Sequence, residues 1–168
     1  MARRKTVNNM PRKKTKVLVR VIPQDRIYNN VEVQRLINRV MLEGKKQLAE
    51  KLVYEGMQKA ADKLKVQNPI DVFEQAMANI KPHMETRSRR VGGANYQIPF
   101  EVKGQRQTHL TIMWFTQAAR ARSGMSMSDR IAVELTDAYN NQGAAVKKKE
   151  DTHKMADANR AYAHFARF

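Results

Sequence analysis

The chain has 168 residues, a length that favours a single domain. Lys and Arg total 32 against 16 for Asp and Glu, so the formal net charge is +16, which predicts a polyanionic partner. The lack of cysteine excludes disulfides, zinc knuckles, iron–sulfur clusters and thiol nucleophiles. The apolar runs are too short to span a bilayer, and the basic start lacks the apolar stretch of a secretory signal. These features favour an intracellular, soluble protein that binds nucleic acid, with an anionic membrane surface as the other candidate.

The basic residues are concentrated in three segments. Residues 1–24 contain no acid, and we expect this extension to be disordered alone and ordered on RNA, because it cannot bury enough apolar area. Its bases are Arg3, Arg4, Lys5, Arg12, Lys13, Lys14, Lys16 and Arg20. The other two segments contain Lys103, Arg106, Arg120 and Arg122, and then Lys147, Lys148 and Lys149. One basic run is often only a solvated face, but three of them favour binding to RNA. We predict that a single RNA-binding domain over 25–168 follows the basic extension.

Apolar spacing predicts three helices before residue 82. The first helix ends near Gly44 and buries Val33, Leu36, Ile37, Val40 and Met41. The second helix covers about 48–64. The third begins at Asn68, an N-cap followed by proline at the first helical position, and must end before Pro82.

The period of the apolar residues then changes to that of β-strands. Residues of about 84–103 suit two strands joined by a tight turn at Gly92-Gly93. Helical spacing returns over 110–118, a capping box at Ser126 and Asp129 opens a fifth helix that ends at Gly143, and a sixth runs over about 149–162. The predicted fold class is mainly α: a six-helix, bundle-like body with one protruding β-hairpin arm inserted after the third helix.

Patterns typical of enzymes are missing from the sequence. His83, His109, His153 and His164 have no metal-ligand spacing, so a metal site is not expected. There is no phosphate-binding glycine loop and no G-x-S-x-G motif, and no pair of carboxylates is marked out for acid–base work. We therefore expect no enzymatic activity, no cofactor and no small-molecule substrate.

The most informative segment of the sequence is 87–93. On a strand, Arg87 and Arg89 share one face and Arg90 takes the other, so cations project from both sides. A protein core cannot accommodate unpaired guanidinium groups, whereas an arm among phosphates uses their forked geometry. The pattern by itself indicates an RNA- or DNA-binding arm.

Four segments together resemble the bacterial type of small-subunit ribosomal protein seven, a universal ribosomal protein family. They are Gly44-Lys45-Lys46, residues 87–93 with 96–99, residues 145–149, and residues 155–164. The resemblance covers the chain in unbroken order from about Tyr28. It implies a ribosomal location, in the cytoplasm or an organelle, and a helical body with a β-ribbon.

The same resemblance implies a more specific role. Members of the family bind the 3′ major domain of the small-subunit ribosomal RNA, nucleate assembly of the head, and lie near exit-site tRNA, outgoing mRNA and neighbouring head and platform proteins. The RNA-facing positions that carry over are Lys45, Lys46, Arg87, Arg89, Arg90, Lys147, Lys148 and Lys149. The part of the hairpin expected near tRNA comprises Arg89, Arg90, Gly92 and Gly93.

Three other functions are compatible with parts of the sequence. An architectural DNA-binding protein also sets arginine-bearing β-arms on a helical body. An RNA-modifying enzyme would need a cofactor loop, which is missing. A peripheral membrane protein would pair a basic helix face with exposed bulky aromatic residues, and no helix of this sequence does so.

Overall fold

Six α-helices and one β-hairpin form the chain between residues 22 and 167, the part that the computed structural model describes. The elements are α1 (Val31–Val40), α2 (Lys46–Leu64), α3 (Pro69–Ile80), β1 (Met84–Val91), β2 (Ala94–Glu101), α4 (Gly104–Ala121), α5 (Met127–Tyr139) and α6 (Ala144–Ala158). A 3₁₀ segment, Arg160–Arg167, follows α6. The predicted class, mainly helical with a hairpin after the third helix, is confirmed.

A buried aspartate organises the entry into α1. The Asp25 residue is 2% exposed, and its carboxylate accepts hydrogen bonds from the backbone N–H groups of Ile27, Tyr28 and Asn30 at 3.1, 2.9 and 2.7 Å. The hydroxyl of Tyr54 on α2 donates to the same carboxylate at 3.2 Å. Burial, followed by the charge of Asp25, raises the pKa of Tyr54 to about 12. The entry turn is thereby fixed to the second helix.

The two helix starts predicted from capping residues differ in their side-chain bonds. At the start of α5, the Ser126 hydroxyl oxygen accepts from the Asp129 N–H at 3.2 Å, as a capping box requires. The Asp129 carboxylate accepts from Lys59 on α2 and from the Ser126 hydroxyl. At the start of α3, Asn68 makes no side-chain bond to the backbone, and its side-chain N–H group donates to the Asp71 carboxylate at 3.2 Å. The predicted Pro69 start is nevertheless confirmed.

The last helix begins earlier than the sequence predicts. It starts at Ala144 rather than near Lys149, and it ends at Ala158, before the 3₁₀ segment. Gly143, taken as the end of the preceding helix, is the N-cap of α6 at φ +93°. The N–H of Ala145 donates to the buried Glu134 carboxylate at 3.1 Å, which satisfies one of the backbone donors that a helix start leaves open.

The core lies between the helices and includes one very close approach. Gly56 on α2 packs against α5, where an added Cβ would lie 2.7 Å from the Ile131 Cγ2 atom. The largest fully buried core side chains are those of Phe73, Phe115, Leu36, Ile37, Met57, Met77, Ile80, Ile131 and Leu135. Between residues 22 and 167, no helix is long and apolar enough to cross a membrane.

The two strands form an antiparallel ribbon joined by a two-residue turn. Arg87 pairs with Ile98, and Arg89 pairs with Tyr96. The turn residues are Gly92 and Gly93, with φ of +57° and +90°, values that glycine adopts without steric cost. The ribbon is anchored at its base, where Ile98 is fully buried.

Candidate nucleic-acid interface

The two faces of the hairpin have different surroundings. Because side chains alternate along a strand, Glu85, Arg87 and Arg89 share one face, and Arg90 lies on the other, as predicted. The first face carries aromatic rings on the paired strand and contacts the 3₁₀ segment. The second face is exposed at Ser88 and Arg90. Towards the tip of the hairpin, the first face is therefore engaged within the protein, whereas the second face is exposed.

A buried carboxylate holds two of the predicted RNA-binding arginines at the base of the hairpin. The Glu85 side chain is 8% exposed and accepts hydrogen bonds from Arg87 at 2.6 Å and from Arg106 of α4 at 3.0 and 3.1 Å. Burial by itself would raise the pKa of Glu85, but the hydrogen bonds from Arg87 and Arg106 outweigh it and hold the pKa below 4.5. Both guanidinium groups remain at least half exposed, so they can also contact a ligand.

Three aromatic side chains join the hairpin to the 3₁₀ segment. The Tyr96 ring lies 5.0 Å from that of Tyr162 and 5.8 Å from that of Phe165, measured between centroids. Arg89 donates to the backbone carbonyl of Phe165 at 3.2 Å. The sequence indicated none of these contacts, because no local pattern links residue 96 to residues 162 and 165. This segment therefore braces one face of the hairpin.

The hairpin root is fixed to α6 through two histidines. The backbone N–H of His83 donates to Nε2 of His153 at 3.1 Å, so that this ring nitrogen is unprotonated. Burial, followed by the charges of His83 and Lys149, lowers the pKa of His153. The neutral ring therefore supports the junction between α6 and the strand that carries the arginines.

The three neighbouring lysines of α6 are not equivalent. Lys149 is half-buried and donates to the backbone carbonyl of Asn79, at the end of α3, at 2.5 Å. Lys147 and Lys148 are exposed and make no side-chain hydrogen bond or ion pair to the described residues, 22–167. Since α6 packs on β1, these two cations stand on the element next to the hairpin.

The comparisons with known proteins agree on one family. The family model described as ribosomal protein S7p/S5e matches residues 11–160. The chain belongs to this family. It is 50% identical over 159 residues to small ribosomal subunit protein uS7 of Herpetosiphon aurantiacus, covering 95% of this chain and 100% of that protein. It is 51% identical to the uS7 protein of Thermosipho melanesiensis, over 88% of this chain and 94% of that protein. It is also 51% identical to the uS7 protein of Dictyoglomus turgidum, over 93% of this chain and 99% of that protein.

Membership of the ribosomal protein S7p/S5e family confirms the resemblance found in the sequence. It also confirms that the chain is a structural ribosomal protein and not an enzyme. The family places its function in RNA binding and translation. The individual RNA-binding positions stay predictions.

Two predicted positions in this ribosomal protein lie in the helical body, where they have structural partners. Arg120 donates to the carbonyl of Arg39, at the end of α1, at 3.1 Å. Arg122 donates two hydrogen bonds to Glu134, at 3.0 and 2.7 Å, and one to Asp137. Burial alone would lower the pKa of Arg122, but these carboxylates raise it. Charge clustering on the sequence gave no sign of these internal bonds.

The remaining described positions are exposed and weakly paired. Lys45 lies 2.7 Å from Glu43, and Lys103 lies 2.8 Å from Glu101, but all four side chains are more than 60% exposed. Lys46 lies 3.7 Å from the Glu50 carboxylate, one helical turn away. Such surface pairs contribute little and leave the ammonium groups accessible. The predicted positions Arg3, Arg4, Lys5, Arg12, Lys13, Lys14 and Lys16, with most of the 1–24 extension, lie outside the described residues.

Proposed function

We propose that this chain binds the 3′ major domain of the small-subunit ribosomal RNA and fixes the RNA junction on which the head of the subunit assembles. Family membership and the net charge of +16 support this role. The observation that carries it is the exposure of Arg90 on the hairpin and of Lys147 and Lys148 on α6, the helix that packs on β1. These cations have no ion-pair partner among the described residues.

The surroundings of Arg90 explain how the hairpin positions its charge. The opposite face is held by the Glu85 carboxylate and by the ring of Tyr96. Because that face is braced, the ribbon presents Arg90 in a fixed direction, and less conformational entropy is lost when RNA binds. The guanidinium group can then pair with phosphate oxygens or stack on bases.

We also propose the surroundings of the chain in the particle. The hairpin turn, with Gly92 and Gly93, reaches exit-site tRNA, the outgoing mRNA passes nearby, and head and platform proteins are the neighbours. The basic extension, residues 1–24, orders on RNA. The role requires no cofactor, metal, membrane or small-molecule substrate.

Salt dependence of binding is the first test. With about six to ten phosphate contacts, affinity for the 3′ major domain RNA should fall roughly 10³–10⁵-fold between 50 and 200 mM salt. Duplex DNA at equal phosphate concentration should compete poorly. Strong competition by DNA would instead support an architectural DNA-binding protein, and a flat salt dependence would contradict a phosphate-contacting surface.

Variants of the exposed cations locate the interface. We expect Arg90→Gln to reduce the slope of log affinity against log salt by about one, and the pair Lys147→Gln and Lys148→Gln by about two. Lys63→Gln, and the pair Lys51→Gln with Lys63→Gln, remove the same charges from exposed positions on α2 and serve as controls. Equal effects of the matched variants would mean that only net charge matters.

A shortened hairpin tests the proposed reach toward tRNA. Replacing residues 90–95 by Asn-Gly joins the paired Arg89 and Tyr96 through a two-residue turn and preserves the braced face. Small subunits should still incorporate this chain, but their ribosomes should retain deacylated tRNA less well at the exit site. Unchanged tRNA retention would show that the hairpin has no such reach.

A further inference from the structure

The root of the hairpin is the short connection 81–83 between α3 and β1. Both backbone groups of His83 are used there. Its carbonyl oxygen accepts from the N–H of Val102 at 2.8 Å, and its N–H donates to Nε2 of His153 on α6 at 3.1 Å. The first bond closes the ribbon at its root. The second bond joins that root to α6 across 70 positions of the chain, so His153 holds the point at which the hairpin leaves the helical body.

Two further bonds hold the same connection, and both come from side chains of a different kind. Gln107 of α4 donates to the carbonyl of Pro82 at 2.9 Å, and Lys149 of α6 donates to the carbonyl of Asn79 at 2.5 Å. Amide and ammonium groups are donors only to such carbonyls and keep this role around neutral pH. An imidazole is the one group of the three that changes between acceptor and donor in that range.

The ring of His153 can make its bond in only one protonation state. An imidazole nitrogen accepts a hydrogen bond through its lone pair, so Nε2 carries no proton and the neutral ring has its proton on Nδ1. A second proton would occupy Nε2 and set two N–H groups against each other across 3.1 Å. Proton uptake at Nε2 and the bond to the His83 N–H are therefore mutually exclusive.

The surroundings of the ring favour its neutral form. Burial, followed by the charges of His83 and Lys149, lowers the pKa of His153, whereas the charge of Asp157, one turn along α6, opposes this shift. The rings of His83 and His153 lie 6.1 Å apart between centroids, so a cation on one disfavours a cation on the other. Other charged side chains at or next to the root have ion pairs of their own: Lys81 with Glu32, Glu85 with Arg87 and Arg106, and Glu101 with Lys103.

We propose that the bond between His83 and His153 is a proton-sensitive latch on the hairpin. The neutral ring fixes the root of the ribbon to α6, and a proton taken up from solvent at Nε2 releases it. The ribbon keeps the buried Ile98 and the bond between Glu85 and Arg106 in either state, so release loosens the direction of the hairpin and leaves the body folded. This inference goes beyond RNA binding, because it concerns the chain without its ligand.

The direction of the pH dependence follows from the surroundings of the ring. The pKa of His153 is lowered while the latch is closed, so the open form binds the proton first as the pH falls below about 6.5, the ordinary value for histidine. The latch therefore contributes fully above that pH. Its contribution is lost as the pH falls through the pKa of the closed form.

Heteronuclear NMR of the free, full-length chain tests the protonation state directly. At about pH 7.5, couplings between the ring nitrogens and the carbon-bound ring protons should show His153 with its proton on Nδ1 and none on Nε2. Lowering the pH should protonate Nε2 below the midpoint of an ordinary histidine. A proton on Nε2 at about pH 7.5 would overturn the proposal.

Amide exchange measures the junction itself. The protection factor of the His83 N–H should fall between about pH 7.5 and about pH 5.5, by at most tenfold per pH unit, because opening takes up one proton. His153→Gln supplies a side-chain oxygen that can accept the same bond and does not titrate, so this pH dependence should disappear. His109→Gln, at an exposed histidine of α4, is the matched control and should retain it.

A variant of His83 separates the backbone donor from the charge of its ring. His83→Gln keeps the backbone N–H, so the amide of position 83 should still lose protection as the pH falls. The midpoint should move to higher pH, because the ring charge that disfavours the protonated His153 is gone. A midpoint that moves to lower pH would contradict the assignment of these charges.

The remaining outcomes decide the proposal without reference to RNA. Protection of the His83 N–H that is independent of pH in the unmodified chain would overturn it, as would a pH dependence that His153→Gln leaves unaltered. Unfolding curves establish that each variant is folded, and the measurements on the unmodified chain decide the matter if His153→Gln unfolds. Failure of the latch would leave the proposed RNA-binding function standing.

Discussion

Arg122 and Arg90 both lie in basic segments of the sequence, but the structure surrounds them differently. Arg122 lies between α4 and α5, where it donates to the fully buried Glu134 and to Asp137. Arg90 is exposed on the hairpin and pairs with no acid in the described part of the chain. A buried carboxylate requires a partner, so the helical body uses its arginine for stability. The hairpin leaves its arginine available for a ligand.

The base of the hairpin is intermediate between these two cases. Arg87 and Arg106 share the buried Glu85 carboxylate, yet each guanidinium group keeps at least half of its surface exposed. Such residues can stabilise the fold and contact RNA together. Counting the cations of the basic segments therefore overestimates the number that act only on a ligand. Cations with structural partners are distinguished from the others by the burial of the nearest carboxylate.

The largest expected effect is at Arg122. Arg122→Met leaves Glu134, whose side chain is 0% exposed, without its cation, and should lower the free energy of unfolding by about 3 kcal/mol. Arg90→Met should change it by less than about 0.5 kcal/mol. Urea unfolding measures both. Adding Glu134→Leu to Arg122→Met should recover part of the loss, and equal effects of Arg122→Met and Arg90→Met would remove the distinction.

Glycine substitutions compare the packing of the body with that of the hairpin. Gly56→Ala should cost about 2 kcal/mol, because the new Cβ would lie 2.7 Å from the Ile131 Cγ2 atom and α2 would have to move from α5. Gly92→Ala meets no atom within 4 Å, so only its φ of +57° opposes it, at about 1 kcal/mol. Urea unfolding measures both variants, and the midpoint of Gly56→Ala should be the lower of the two. A larger loss of stability for Gly92→Ala would contradict this comparison of the body with the hairpin.

The buried acid of the hairpin base predicts a pH dependence. The pKa of Glu85 is lowered in the folded protein, so the unfolded chain binds its proton first as the pH falls below about 4.5. Its contribution to stability is therefore present above that pH and is lost as the pH falls through the folded pKa. Glu85→Gln should remove this part of the acid destabilisation. Glu101→Gln, at a mostly exposed side chain, is the matched control and should leave the profile unchanged.

The smallest effect is expected where the 3₁₀ segment meets the hairpin. Tyr96→Ala removes two ring contacts between the hairpin and the 3₁₀ segment, a part of the chain that is otherwise exposed. Amide exchange over 160–165 should accelerate several-fold, while the urea midpoint should change little. Asn95→Ala, on the opposite face of the hairpin, is the control. Unchanged exchange over 160–165 would show that Tyr96 does not brace this segment.

The helices and the hairpin turn were predictable because their signals are local. Apolar residues three and four positions apart predicted the helices, and Gly92-Gly93 predicted the turn. The predicted start of α6 is wrong by five residues, because glycine at position 143 is typical of a helix end and here stands at a helix start. The backbone N–H of Ala145 at this helix start donates to Glu134, a buried acceptor that the local sequence could not reveal.

The sequence by itself determined the family, the helical class, the hairpin and the excess of positive charge, because these depend on residue identity and spacing along the chain. Only the tertiary structure decided which cations have internal partners. Glu134 reaches Arg122 across 12 positions, Glu85 reaches Arg106 across 21, and Phe165 reaches Arg89 across 76. Burial and partner geometry arise from chain folding, so no local pattern records them.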